Sequence, residues 1–188
     1  MTTEPVTRRE EMLRAAANLF AERGFHGVSV GDIGRACGVS GPALYRHFAA
    51  KDAMLAEMLV SISEELLREA RARSSAAADP AAAVRALVAW HTDFALREQA
   101  LIVVQDRDWS ALPDDARERV RLLQREYVAL LTTALRGVNP RLTADAALAR
   151  AHAVFGLLNS TPRSSYLSQD AMRGELVTMA LRALDVPA

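Results

Sequence analysis

Apolar residues recur at helical spacing along nearly the whole chain, and no stretch alternates as a strand would. Thr7 and Glu10 form a capping-box pattern, followed by Leu13, Ala16, Ala17 and Phe20 at i, i+3, i+4 and i+7, which predicts a helix to about Gly24. Ser29 with Asp32 repeats the capping box and opens a short helix, which Gly38 stops by supplying a positive φ. Ser40 caps a second short helix with Pro42 in its first turn, where the missing N–H leaves no internal bond unmade. Ile33, Cys37, Val39, Leu44 and Phe48 are the predicted inward positions of the two-helix stretch, with Cys37 a small buried filler.

Lys51 opens a long helix to about Arg73, with Leu55, Leu59, Ile62 and Leu66 on one stripe. About 23 residues at 1.5 Å each span roughly 34 Å, enough to join two domains. Ser74 to Pro80 reads as the internal connection, with Asp79 as cap and Pro80 as first helical residue. A helix carrying Val84, Leu87, Val88, His91 and Phe94 follows, then a shorter one over about 100–108. From Pro113 an amphipathic helix runs to Gly137 with Val120, Leu123, Tyr127, Leu130 and Leu131 inward. Thr143 and Ser168 cap the last two helices, which Thr161-Pro162 separates.

The chain has 188 residues, 51% of them hydrophobic, with only 9 Gly and 7 Pro, which favours an all-helical globular protein. One cysteine excludes an internal disulfide and a Cys-rich zinc site. The amino terminus shows no apolar signal region and no run reaches the ~20 residues a membrane span needs, so a cytoplasmic location and no membrane partner are expected. Lys plus Arg equals Asp plus Glu at 23 each, and residues 1–51 hold seven bases against five acids. Any polyanion must therefore be held by a few placed cations, backbone N–H groups and dimerisation. His26, His47, His91 and His152 form no i, i+4 pair, and no Gly-rich phosphate loop is present, so no metal, cofactor or catalytic residue is expected.

A helix, a glycine turn and a second helix at this spacing is a helix-turn-helix, whose second helix enters the DNA major groove. Its continuation, Leu44-Tyr45-Arg46-His47-Phe48, then Lys51-Asp52 and Leu55, resembles the signature of TetR-family transcriptional regulators. The resemblance covers the first quarter to third of the chain. Two departures from the family pattern stand out: Gly34 stands where Ala is usual, and Gly41-Pro42-Ala43 is unusually apolar for a DNA-facing surface. The organisation this implies is a three-helix DNA-binding domain over residues 1–50 and a helical effector-binding and dimerisation domain over 51–188, with 51–73 as connecting helix.

If the second short helix docks in the groove, Gly41, Pro42 and Ala43 meet base edges, Pro42 and Ala43 touching thymine methyls. Arg46 forks onto guanine or holds a phosphate, while helix-start chemistry alone also explains Pro42. The resemblance implies phosphate contacts from Ser29, Ser40, Tyr45, His47 and Lys51. It also implies an effector pocket among helices that carry Trp90, His91, Phe94, Trp109, Tyr127, Phe155 and Asn159. Each of these is equally ordinary core; an apolar or acyl-bearing effector suits the lining, and Arg97, Arg107 or Arg163 offers a partner for an anionic head group. The last two helices are apolar on more than one side, through Leu148, Ala151, Phe155, Leu158, Leu176, Met179 and Ala180. That pattern fits a homodimer interface, which the resemblance implies as a four-helix arrangement, or a broad internal core face.

The resulting expectation is a homodimeric repressor released from palindromic double-stranded operator DNA by a small effector. Its two recognition helices would be roughly 34 to 36 Å apart. The competing readings are a helical-bundle enzyme using His91 or His152 with Asp93 as acid/base pair, and a regulator that binds DNA constitutively or acts through a protein partner.

Overall fold

A computed structural model describes residues 7–164 and 166–187. Among the described residues the regular structure is entirely helical: α1 (Arg8–Arg23), α2 (Val30–Ala36), α3 (Gly41–Tyr45), α4 (Lys51–Ala76), α5 (Pro80–Arg97), α6 (Gln99–Asp108), α7 (Asp114–Val138), α8 (Ala144–Leu158) and α9 (Gln169–Ala183). One-turn 3₁₀ helices occupy Trp109–Ala111 and Thr161–Arg163. The starts follow from side-chain caps. Thr7 and Ser29 make complete capping boxes with Glu10 and Asp32, while Ser40, Asp79, Thr143 and Ser168 each accept from a backbone N–H of the first turn.

The chain gathers into two compact units. One takes the chain up to Ser61 together with Ala100–Arg119; the other takes Ile62–Gln99 together with Val120–Ala188. The units therefore do not divide at residue 50. The first turns of α4 and all of α6 beyond Gln99 belong with α1 to α3, for a reason visible in their side chains. Met54, Leu55, Met58 and Leu59 of α4 are buried, and Arg107 at the end of α6 donates to the Phe20 and Ala21 carbonyls that end α1.

In the first unit Met12, Ala16, Ala17, Phe20, Phe25, Val28, Ile33, Leu44 and Phe48 are buried. Cys37 and Val39 are only half-buried, so the cysteine is not the sealed filler its position suggested. Gly34 has a packing reason: a Cβ there would lie 2.8 Å from the Val39 carbonyl oxygen, and the Val39 N–H donates to the Gly34 carbonyl at 2.9 Å. The turn between α2 and α3 closes so tightly that alanine does not fit without a backbone shift. Gly38, at φ +66°, supplies the left-handed residue of that turn.

The second unit is built on α5, α8 and α9, with α4 and α7 contributing Leu67, Ala70, Leu123, Tyr127, Leu131 and Leu135 to its core. On α4 the buried stripe runs Leu59, Ser63, Leu67 and Ala70, so Ile62 and Leu66 flank it and are half-buried. On α7 the expected inward positions are buried apart from Leu130, which is half-buried.

Candidate functional site

The helix-turn-helix presents α3 with one face inward and one outward. Leu44 and Phe48 are buried, whereas Pro42, Tyr45, Arg46 and His47 are exposed, Tyr45 to 55%. Among the described residues the side chains of Tyr45, Arg46 and His47 make no hydrogen bond or ion pair inside the subunit. A helix of five residues cannot hold itself, and here the Ser40 hydroxyl accepts from the Ala43 N–H at 3.3 Å, while the His47 and Phe48 N–H groups return to the Leu44 carbonyl. Gly41 and Ala43 are half-buried.

Ser29 is exposed, but its hydroxyl is engaged: it accepts from the Asp32 N–H at 3.1 Å and donates to Asp32 Oδ2 at 2.5 Å. The hydroxyl's bond to the carboxylate, joined by the Ser29 N–H donating to the same oxygen at 2.8 Å, holds the Asp32 carboxyl below its ordinary pKa. Lys51, expected at a phosphate, is half-buried. Its Nζ donates to the Phe25 and Val28 carbonyls at 2.7 and 2.8 Å and lies 4.2 Å from the centre of the Phe25 ring. Two of its three N–H donors thus tie the first residue of α4 to the loop between α1 and α2. Both carbonyls lie in the loop that follows α1, where the Phe25 carbonyl receives only a long bond from the Val28 N–H at 3.4 Å, and a nearby ammonium satisfies them.

In the second unit, the structure brings together five of the seven aromatic and polar residues singled out for an effector. His91 on α5 is fully enclosed: Nδ1 is 3.0 Å from the Tyr127 hydroxyl of α7, and Nε2 is 3.0 Å from Asn159 Oδ1 at the end of α8. The amide oxygen only accepts, so the network assigns the proton to Nε2 and leaves Nδ1 to accept from Tyr127. Phe94, Tyr127 and Phe155 surround the imidazole with centroids at 5.6, 5.6 and 4.6 Å. Burial pushes the His91 pKa down to about 4 against a smaller upward pull from Asn159, and raises that of Tyr127. The triad is uncharged at neutral pH.

Trp90 faces elsewhere on α5: its Nε1 donates to the Leu66 carbonyl at 3.3 Å, and the Arg73 and Arg97 guanidiniums lie 4.6 and 5.7 Å from its ring. Trp109 belongs to the first unit. Arg97 pairs with Glu98 and Glu65, and Arg107 with the end of α1, so both of these guanidiniums are already engaged. Asp93 meets Arg173 of α9 at 2.5 Å and does not approach the His91 ring bonds, which go to Tyr127 and Asn159. The acid/base pair proposed for an enzyme is therefore not assembled. His152 is exposed. Among the described residues no group of His, Cys, Asp and Glu is arranged to hold a metal ion, and no helix is long and apolar enough to cross a membrane.

The residues expected at a dimer interface separate into two sets. Ala151, Leu158, Leu176 and Ala180 are buried in the unit's own core, because α8 and α9 pack on α5 and on each other. Leu148 on α8 and Met179 on α9 are exposed, to 44% and 42%, and Phe155 is half-buried beside His91.

Comparison with known proteins agrees with this layout. Residues 12–58 match the bacterial regulatory proteins of the tetR family, and residues 77–163 match the tetracyclin repressor-like C-terminal domain. The HTH-type transcriptional repressor KstR2 of Rhodococcus jostii is 40% identical over 81 residues, covering 43% of this chain and 40% of that protein. The chain thus spans about two fifths of the length of this curated relative. A TetR-family transcriptional regulator from Bordetella parapertussis is 29% identical, with a TM-score of 0.82 over 92% of this chain and 93% of its own. AibR, solved with isovaleryl coenzyme A and operator DNA, shares the fold at 19% identity, with a TM-score of 0.77 over 92% of this chain and 97% of its own. With a capped helix-turn-helix at one end, a helical core at the other and both halves matched in order, this chain belongs to the TetR family of transcriptional regulators.

Proposed function

We propose that this protein is a ligand-responsive repressor that binds operator DNA as a homodimer. The observation that carries the reading is the outward side of α3 and the turn after it, where Pro42, Tyr45, Arg46 and His47 stand exposed with side chains unengaged, while Leu44 and Phe48 are locked in the core. Such a face docks in a major groove: Arg46 takes guanine or phosphate, Pro42 and Ala43 take thymine methyls, and Tyr45, His47 and Ser40 take phosphates. Gly41 lets the backbone approach, and Ser29 and Lys51 act by holding the unit's shape.

A second copy covers the exposed apolar positions Leu148 and Met179, placing two α3 helices on a palindrome. The effector is a small apolar or acyl-bearing molecule received by the aromatic shell around His91, Tyr127 and Asn159, whose uncharged polar groups orient it. By binding one arrangement of the dimer better than the other, it releases DNA. AibR, of the same fold, was solved with an acyl coenzyme A and operator DNA, which supports this assignment of roles to the two units.

Mobility shift with the purified protein and the DNA upstream of its own gene tests the reading. Retardation is expected at low salt, weakening steeply as salt rises, and Arg46→Gln lowers the affinity by roughly 1 to 3 kcal/mol. No retardation by the wild-type protein at low salt overturns it.

A further inference from the structure

One cation beside the recognition helix is already engaged within its own unit. Arg9 of α1 would be counted from sequence among the bases available for phosphate, yet all three of its guanidinium nitrogens are engaged inside the unit. Nε donates to Glu57 Oε1 of α4 at 2.6 Å, Nη2 donates to the other Glu57 oxygen, and Nη1 donates to the His47 carbonyl just past α3. The guanidinium carbon lies 4.2 Å from the centre of the Phe48 ring. The bidentate fork with Glu57 holds the Arg9 pKa above its ordinary value.

This arrangement joins three elements at one planar group. α3 has one short turn of its own, and the N–H groups that close on its Leu44 carbonyl come from His47 and Phe48, so its angle depends on what holds the segment 46–50. Phe48 anchors that segment by burial, and Arg9 fixes the carbonyl before it. Glu57 in turn orients Arg9, since a guanidinium held by two parallel bonds keeps one plane. We infer that Arg9 and Glu57 are positioning residues for DNA recognition: they set the angle of α3 through the His47 carbonyl and touch no DNA themselves. The inference rests on the DNA-binding reading above for its effect on affinity, but the latch itself is measurable without DNA.

Glu57→Gln separates this account from a simple charge effect by sign. Removing an acid from a DNA-binding unit strengthens attraction to phosphate in general, whereas loosening the latch weakens recognition of the correct sequence. The expected result by fluorescence anisotropy is a roughly tenfold loss of affinity for the retarded upstream duplex, with affinity for a scrambled duplex of equal length unchanged or slightly higher and the salt slope unchanged. Arg9→Lys behaves alike, because an ammonium cannot hold both carboxylate oxygens and the carbonyl in one plane. In the free protein, amide hydrogen exchange at His47 and Phe48 rises about tenfold in Glu57→Gln while Ile33 and Cys37 keep their protection. Unchanged exchange at His47 and Phe48 overturns the latch whether or not the wild type binds DNA. Equal or tighter binding of the upstream duplex by Glu57→Gln overturns it too. Exchange rising throughout the unit marks general unfolding of that variant, and Glu57→Asp, which keeps the charge and shortens the reach, then decides: a local rise at His47 and Phe48 supports the latch, and unchanged exchange there overturns it.

Discussion

The two units solve the same problem, fixing helices against one another, by different means. In the first, several cations reach across to backbone carbonyls: Arg8 to Cys37, Arg9 to His47, Lys51 to Phe25 and Val28, and Arg107 to Phe20 and Ala21. Its helices α2 and α3 are short, so much of their backbone lies in ends and turns where carbonyls have no helical partner. In the second, α5, α7, α8 and α9 are long, their carbonyls are mostly satisfied internally, and an apolar core does the holding. There cations reach carbonyls at longer range, Arg85 to Pro187 at 3.3 Å and Arg150 to Leu184 at 3.4 Å, and the His91, Tyr127 and Asn159 triad is a polar cluster set into the core. The lesson is that cations in a small nucleic-acid-binding unit are not all for the nucleic acid. Net charge counts them alike, and only their partners tell the clasps from the contacts.

The sharpest way to break the comparison is to empty part of the apolar core. Leu131→Ala, at a position 1% exposed, should lower stability by about 2 to 5 kcal/mol in urea unfolding followed by circular dichroism. A loss below about 1 kcal/mol would mean that the second unit does not rest on burial as described.

Next in size is the triad. The unfolded chain takes up a proton at His91 near pH 6.5, whereas in the folded protein burial holds the imidazole neutral down to about 4. Across that window the unfolded state binds more protons, so stability falls as pH is lowered, by roughly 3 kcal/mol from this group when complete. Urea midpoints at pH 7 and pH 4 should therefore converge more in His91→Gln than in the wild type. An equal acid loss in both proteins would show that His91 is not held neutral.

The smallest effect tests the clasps. Lys51→Met keeps the stem over the Phe25 ring but removes both donors to Phe25 and Val28, and should cost about 1 to 3 kcal/mol. If stability is unchanged while DNA affinity and the salt slope both drop, Lys51 is a phosphate contact after all, and the contrast between the units narrows.

Much of this molecule is written locally in its sequence. The capping boxes at Thr7 and Ser29, the caps at Ser40, Asp79, Thr143 and Ser168, and the breaker at Pro162 set the helices to within a few residues, because a cap is a bond between neighbours in the chain. The outward side of α3 was legible for the same reason: Leu44 in α3 and Phe48 just past its end are the apolar anchors that fix which side is in. What local pattern could not supply was the choice among equivalent partners. Leu148 and Ala151 look alike on an apolar helix, and packing of α8 on α5 and α9 is what buries one and exposes the other.

Sequence alone determined the helices, their order and the side of α3 that faces out, since these follow from bonds and periodicities within a few residues. Tertiary structure decided which cations are free, why Gly34 has no side chain, and which of the expected residues meet. Arg9 and Glu57, or His91 and Asn159, lie far apart along the chain, and only folding sets the distances on which their chemistry depends.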